Sequence, residues 1–260
     1  MSKLLPRKRF GQHFLHDRGI ITKIVNAINP QRTQHLVEIG PGLGALTHAI
    51  LPLVDHLDAI EIDRDLIPIL KESATTLGNL SIHEFDALQY DFRQLGAHLR
   101  VVGNLPYNIS TPLIFHLLEQ LDCIEDMHFM LQREVVDRLA AKPGNKIYGR
   151  LSVMVQYHCH VDKLFNVAPG AFNPPPEVDS AIVRLLPYAA PPYHATSLNA
   201  LRLIVNSAFS QRRKTLRKSL TNYLNPTDWQ TLGIDSQLRP EQLSVADFVA
   251  ISNVYVLKTA

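Results

Sequence analysis

From His35 to Ala140, short apolar runs alternate with stretches of helical spacing, and this alternation leaves the chain few folds to choose from. His35–Ile39, Leu57–Ile62, Leu80–Glu84, Leu99–Val102 and Asp126–Leu131 read as strands. Leu43–Leu51, Arg64–Ser73, Thr111–Gln120 and Gln132–Ala140 read as the helices that follow them. A preceding helix is expected over Asp17–Asn29, where Ile20, Ile21, Ile24, Val25 and Ile28 recur at helical intervals before Pro30 ends the run. Such alternation predicts an α/β fold with a parallel, doubly wound sheet. Leu151–His160, Val161–Val167 and Val178–Leu186 suggest a further helix and antiparallel strands. Ala189-Ala190-Pro191-Pro192 reads as a linker. Only helices are expected beyond it, over Leu198–Phe209, Thr215–Tyr223, Pro226–Leu232 and Val245–Leu257. The expected domains are therefore 1–187 and 188–260.

A chain of 260 residues is long enough for one large domain and a small one. No apolar run approaches the roughly 18 residues that span a bilayer, and the basic start lacks the apolar stretch of a signal peptide. Cys123 and Cys159 have no CxxC spacing and read as reduced thiols, so a cytoplasmic protein without a metal site is expected. The net charge of +2 conceals a segregation. Lys3, Arg7, Lys8 and Arg9 lie in an acid-free stretch over 1–16. Arg184, Arg202, Arg212, Arg213, Lys214, Arg217 and Lys218 lie in another over 180–227. The rest of the chain must then carry −9, which is the pattern of a polyanion-binding surface on an acidic body. Arg213 with Arg217, and Lys214 with Lys218, stand at i, i+4, which predicts one basic helix stripe beside Arg212.

Two loops carry the chemistry. Val37-Glu38-Ile39-Gly40-Pro41-Gly42-Leu43-Gly44 is a strand opening into a glycine turn, where the backbone can approach a ligand closely. Its GxGxG spacing differs from the GxGxxG of dinucleotide folds, and Glu38 would repel a pyrophosphate but attract a cation. Glu61 ends the second strand, where an acid commonly takes ribose hydroxyls, and Asp86 follows the third, where it could accept from an adenine amine. A ligand with ribose, adenine, sulfonium and ammonium but no phosphate fits, which is S-adenosylmethionine. The second loop is Gly103-Asn104-Leu105-Pro106-Tyr107. Asn104 offers a side-chain carbonyl, and Pro106 biases Leu105 away from the helical region so that its carbonyl can point outward. Tyr107 adds a flat face. Two acceptors beside an aromatic plate suit the amino edge of adenine.

These segments, with Arg7-Lys8-Arg9-Phe10-Gly11-Gln12-His13-Phe14-Leu15, Glu61-Ile62-Asp63, Asp86-Ala87, Leu131-Gln132-Arg133-Glu134-Val135 and Phe172-Asn173-Pro174-Pro175-Pro176-Glu177-Val178-Asp179-Ser180, resemble the small-subunit ribosomal RNA adenine dimethyltransferases of the KsgA/RsmA type. The matching pieces occur in family order along nearly the whole chain. The resemblance implies a Rossmann-like S-adenosylmethionine-dependent methyltransferase sheet with a small all-helical C-terminal domain. It implies that Gln12, His13 and Leu15 close over the cofactor, that Gly40 lies at its methionine end, that Glu61 and Ile62 meet the ribose side, and that Asp86 and Ala87 meet the adenine. Asn104 would touch cofactor and substrate. Leu105 would accept from the substrate amine, with Tyr107 and Phe172 stacking on the two faces of the target base. Arg7, Lys8, Arg9, Arg212, Arg213, Lys214, Arg217 and Lys218 would bind RNA. The implied substrate is a pair of adjacent adenines in the 3′-terminal hairpin of 16S rRNA, presented on the small ribosomal subunit to a monomer.

Two other readings compete. An adenine-N6 methyltransferase acting on DNA or another RNA would share the glycine turn and an acceptor-Pro-aromatic loop, although the Gln12-His13-Phe14-Leu15 segment and the basic helical end argue against it. A factor that binds RNA during ribosome assembly without chemistry would share the fold, although Glu61, Asp86 and Asn104 are all in place. A nicotinamide dehydrogenase fails on the glycine spacing.

Overall fold

The computed structural model describes residues 13–211 and 213–259. The elements run β1 (Phe14–Leu15), α1 (Arg18–Ile28), β2 (His35–Ile39), α2 (Thr47–Ile50), β3 (Leu57–Glu61), α3 (Leu66–Ala74), β4 (Leu80–Glu84), β5 (Leu99–Asn104), α4 (Ser110–Leu117) and β6 (Ile124–Gln132). They continue as α5 (Arg133–Leu139), α6 (Arg150–His158), β7 (Cys159–Val167), β8 (Phe172–Asn173), β9 (Ser180–Pro187), α7 (Leu198–Phe209), α8 (Leu216–Ser219), α9 (Pro226–Leu232) and α10 (Val245–Thr259). By packing, the chain falls into two units. One holds the residues up to Val136 with Asp162–Pro187, and the other holds Asp137–Val161 with Tyr188 onward.

The first unit carries most of a seven-stranded sheet in the order β4-β3-β2-β5-β6-β9-β7. Strands β4, β3, β2, β5 and β6 are parallel, and β9 returns antiparallel to β6. The chain builds outward from β2 through β3 to β4, then crosses back to β5 and β6. The order therefore reverses between β2 and β5, and ligands of such sheets bind at the carboxyl ends of the strands beside that reversal. Ile24, Val25 and Ile28 of α1 and Ile50 of α2, with Leu46 and Leu51 at its two ends, share one buried cluster with Leu36 and Val102 of the sheet.

Helix α1 begins where Asp17 accepts a hydrogen bond from the Ile20 N–H at 3.0 Å, and ends at Asn29 with φ 48°. Its last carbonyls are held from the sheet. Buried Arg100 donates to the Ile28 carbonyl at 2.7 Å and forks onto Asp126 at 3.0 and 2.9 Å. The helix expected over 43–51 is shorter. Gly40, Gly42 and Gly44 take positive φ, so a turn occupies 42–46, and α2 starts only at Thr47 before a 3-10 turn over Leu51–Leu53.

The second unit is helical around Tyr148, Phe209 and Phe248, whose rings are 6.4 Å and 5.6 Å apart in succession. Tyr148 and Phe248 are fully buried. This aromatic centre explains why residues 137–161 belong with the C-terminal helices, although they lie inside the range 1–187 that the linker delimits. Among the described residues no helix is long and apolar enough to cross a membrane, and no group of side chains could hold a metal. Cys123 and Cys159 are buried and free.

Candidate active site

A cavity of about 330 Å³ opens over the carboxyl ends of β2, β3 and β5, the size class of a small-ligand pocket. His13, Leu15, Gly40, Glu61, Ile62, Asp86, Ala87, Asn104, Leu105 and Tyr107, all singled out from the sequence, line it. Gln12 lies outside the described residues, as do Arg7, Lys8, Arg9 and Arg212.

The glycine turn forms one wall. Gly40 has φ 66°, and a Cβ there would meet nothing within 4 Å, so its bare backbone faces open space. Glu61 reaches back under the turn. Its carboxylate accepts from the Gly42 N–H at 3.1 Å and from the Asp63 N–H at 2.8 Å. Burial pushes the Glu61 carboxyl up, and these two N–H donors work against that rise. Glu38 is buried more deeply, at 2 % exposure, and accepts from the Thr47 hydroxyl at 2.5 Å. Desolvation raises its carboxyl to about 7, the Thr47 hydrogen bond opposes the rise, and nearby Glu61 adds to it. Two buried carboxyls with raised proton affinity form a site that gains from an incoming positive charge. The sequence reads Glu38 as repelling a pyrophosphate and attracting a cation; what it does not show is the depth of the carboxylate, which comes from flanking strands β3 and β5.

Farther along, Asp86 accepts from the Leu88 N–H at 2.9 Å, which fixes its carboxylate at the cavity rim. Leu43, Ile62 and Phe85 leave 40 %, 48 % and 48 % of their surfaces open there. Such uncovered apolar faces suit a planar heterocycle. Leu43 and Phe85 were not foreseen as site residues; the alternation along a strand gives no reason to expect an open phenyl ring just before Asp86.

The opposite wall is the Asn104 loop. Gly103 lets β5 press on β2, since a Cβ there would stand 2.6 Å from the Ile39 carbonyl oxygen. Asn104 Nδ2 donates to the His13 carbonyl at 3.1 Å. A carbonyl only accepts, so the amide must present its nitrogen to His13, and Oδ1 is left as an acceptor. The loop is pinned by the Leu105 N–H on the Met130 carbonyl at 3.2 Å and by the Ser110 hydroxyl on the Tyr107 carbonyl at 3.1 Å. The Tyr107 hydroxyl pairs with the Ser180 hydroxyl at 2.7 Å, and burial raises its phenol.

Two expectations need correction. Phe172 is not at the cavity. Its backbone pairs with Leu15 in the small β1–β8 sheet, and its ring is 2 % exposed within the cluster that holds Ile24, Val102 and Met130. The basic helix stripe also fails, because α8 covers only Leu216–Ser219. Thr215 is extended, and the Leu216 and Arg217 N–H groups donate to the Leu238 and Ser236 carbonyls, which fixes the helix start after Lys214. Arg213, Lys214, Arg217 and Lys218 are all exposed, on a turn and a short helix rather than one helical face.

Comparison with known proteins places this geometry. Residues 4–256 match the family described as ribosomal RNA adenine dimethylase. The chain is 59% identical over 250 residues to a Pseudomonas aeruginosa protein named ribosomal RNA small subunit methyltransferase A, covering 95% of this chain and 93% of that one. A Marinomonas protein of the same name is 55% identical over 264 residues, covering 99% of each. A dimethyladenosine transferase from Plasmodium falciparum superposes with a TM-score of 0.79 at 29% identity, over 92% of this chain and 96% of that one. The 23S rRNA methyltransferase ErmE shares the fold, with a TM-score of 0.73 at 23% identity over 94% of this chain and 99% of that one. With the family matched over nearly its full length and a glycine turn, acidic strand ends and Asn104 loop around one cavity, the chain belongs to the ribosomal RNA adenine dimethylases.

Proposed function

We infer that the protein transfers methyl groups from S-adenosylmethionine to N6 of two adjacent adenines in the 3′-terminal hairpin of small-subunit rRNA, giving N6,N6-dimethyladenosine. The observation that carries this is Asn104, whose amide nitrogen is engaged by the His13 carbonyl while Oδ1 remains an acceptor inside the cavity. The residues present fit the donor. Gly40 leaves its methionine end room, buried Glu38 and Glu61 favour its positive groups, Glu61 suits ribose hydroxyls, and Asp86 with Ile62 and Phe85 suits adenine. When bound, this donor supplies a methyl carbon already activated by a sulfonium.

The chain's task is then to present the nucleophile. The lone pair of adenine N6 is shared with the ring. Hydrogen bonds from N6 to Asn104 Oδ1 and the Leu105 carbonyl let the nitrogen pyramidalise, and they strengthen as positive charge develops on it. Tyr107 gives the extruded base a face to stack on, a contact typically worth about 1–3 kcal/mol. Orienting the reactants removes roughly 7–11 kcal/mol of the barrier in favourable cases. The methylated nitrogen is acidic enough for water to take its proton, so no side-chain base is needed.

The helical unit, with Arg213, Lys214, Arg217 and Lys218, docks on rRNA phosphates within the small subunit, and the enzyme acts as a cytoplasmic monomer. Exposed Arg213, Lys214, Arg217 and Lys218, within a stretch over 180–227 whose sequence holds no acid, support this reading. The test is methyl transfer from radiolabelled S-adenosylmethionine to small subunits lacking the modification, followed by nucleoside analysis. Labelled N6,N6-dimethyladenosine in the 3′-terminal hairpin is the expected product; label in another nucleoside or another RNA overturns the assignment.

A further inference from the structure

Two segments singled out in the sequence, Leu131–Val135 and Phe172–Ser180, contribute no residue to the cavity wall. They meet where β6 ends and β9 begins. Gln132 pairs with Ser180 in the ladder between those strands. Just past that pair, the Arg133 N–H donates to the Asp179 carbonyl at 2.9 Å, and the Arg133 guanidinium donates to the Asp179 carboxylate at 2.5 Å. Ser180 is fully buried in this frame.

The frame holds Tyr107. The Ser180 hydroxyl lies 2.7 Å from the Tyr107 hydroxyl, and among the described residues it is the phenol's one hydrogen-bond partner. Tyr107 follows the end of β5 and Ser180 opens β9, with β6 between them in the sheet, so the hydroxyl pair bridges the end of β6. Neighbouring strands lie about 4.8 Å apart, which puts the anchor about two strand spacings from β5. The near end of the residue is held by its own loop, through the Leu105 N–H on the Met130 carbonyl and the Ser110 hydroxyl on the Tyr107 carbonyl. With backbone and tip both fixed, the ring cannot swing about its side-chain torsions.

We propose that Ser180 is a positioning residue: it holds the Tyr107 ring in the orientation that the second methyl transfer requires. This rests on the adenine-methylating reading above. In the first transfer, N6 brings one N–H to Asn104 Oδ1 and another to the Leu105 carbonyl. The monomethylated amine keeps a single N–H, so one of the hydrogen bonds that orient the base is gone. Stacking on a fixed ring then carries more of the orientation, and orientation controls the transfer rate. A ring free to swing still offers its face, so subunit binding is kept while the second transfer slows.

The experiment uses the full chain and S-adenosylmethionine in excess over small ribosomal subunits lacking the modification, and resolves N6-methyladenosine from N6,N6-dimethyladenosine over time. Ser180→Ala is expected to slow the second transfer about tenfold and the first by no more than about threefold, so that the monomethyl product accumulates. Affinities for subunits and for S-adenosylmethionine are expected to stay within about twofold. Tyr107→Phe keeps the face without the hydroxyl and is expected to give the same product pattern. The double variant is expected to be no slower than either single one, because each removes the same hydrogen bond. The proposal is overturned if Ser180→Ala accumulates no monomethyl product, or slows both transfers in equal proportion as a general loss of structure would. It is also overturned if Tyr107→Phe gives a different pattern, if the two effects multiply in the double variant, or if either affinity falls in step with the rate. If the unaltered protein methylates no subunit adenine, the parent reading fails instead, and the two failures are distinguishable.

Discussion

Glu38 gives the cavity a built-in proton linkage. Its carboxyl is buried at 2 % exposure and raised to about 7, chiefly by desolvation and secondarily by Glu61, against the pull of the Thr47 hydroxyl. In the free protein the acid is thus mostly neutral at pH 6 and mostly ionised at pH 8. The cationic donor binds the ionised form better, so the apparent Kd is the intrinsic value divided by the ionised fraction. That fraction is about 0.1 at pH 6 and about 0.9 at pH 8, a ratio of about tenfold in affinity, or about 1.4 kcal/mol. Glu38→Gln keeps the shape and the Thr47 partner but cannot titrate. Calorimetric titration with S-adenosylmethionine at pH 6, 7 and 8, in buffers of different ionisation enthalpy, reads both Kd and protons released. The expectation is affinity rising about tenfold from pH 6 to 8 with proton release near pH 6, and loss of that extra slope in Glu38→Gln. An identical pH slope in both proteins would refute the argument. The same shift has a stability sign: this acid's proton affinity is higher folded than unfolded, so the unliganded fold weakens as pH rises from about 4.5 to 7.

Gly103→Ala would drive a Cβ to within 2.6 Å of the Ile39 carbonyl, so β5 must shift against β2; we expect methyl transfer to fall about a hundredfold, checked by single-turnover rates beside the thermal midpoint, and a normal rate in a folded variant counts against the geometry. Burial raises the Asp126 carboxyl, but His128 and Arg100 outweigh it and hold it at about 2, so its stabilisation is present above about pH 4 and lost as pH falls toward 2. Acid titration of denaturant stability over that window should show a loss of about 2 kcal/mol that Asp126→Asn lacks. Replacing Arg213, Arg217 and Lys218 together should flatten the slope of log affinity for small subunits against log salt by about 2 to 3, and an unchanged slope places the RNA elsewhere.

Much of the site was legible because strand ends are set by local pattern. Glu61, Asp86 and Asn104 each follow a short apolar run, and in a parallel sheet such positions converge at one edge. Glycine spacing likewise announced the turn at Gly40. What was not legible depends on partners remote in sequence. Phe172 is buried because its strand pairs with Leu15, and nothing local distinguishes a core phenylalanine from a stacking one. The i, i+4 cations at 213–218 looked helical, but carbonyls of Ser236 and Leu238 start α8 after Lys214. Tyr148 joins the helical unit through Phe209, beyond a linker that seemed to close the first domain at 187. The raised proton affinity of Glu38 required knowing that β3 and β5 flank it on both sides.

The central claim is that Asn104 Oδ1 receives the adenine amine, and Asn104→Ala tests it most directly. The measurement is single-turnover methyl transfer to small subunits lacking the modification, made together with the cofactor Kd. The account predicts no detectable dimethyladenosine while S-adenosylmethionine binds within about tenfold of the parent; near-normal transfer in that variant would contradict it.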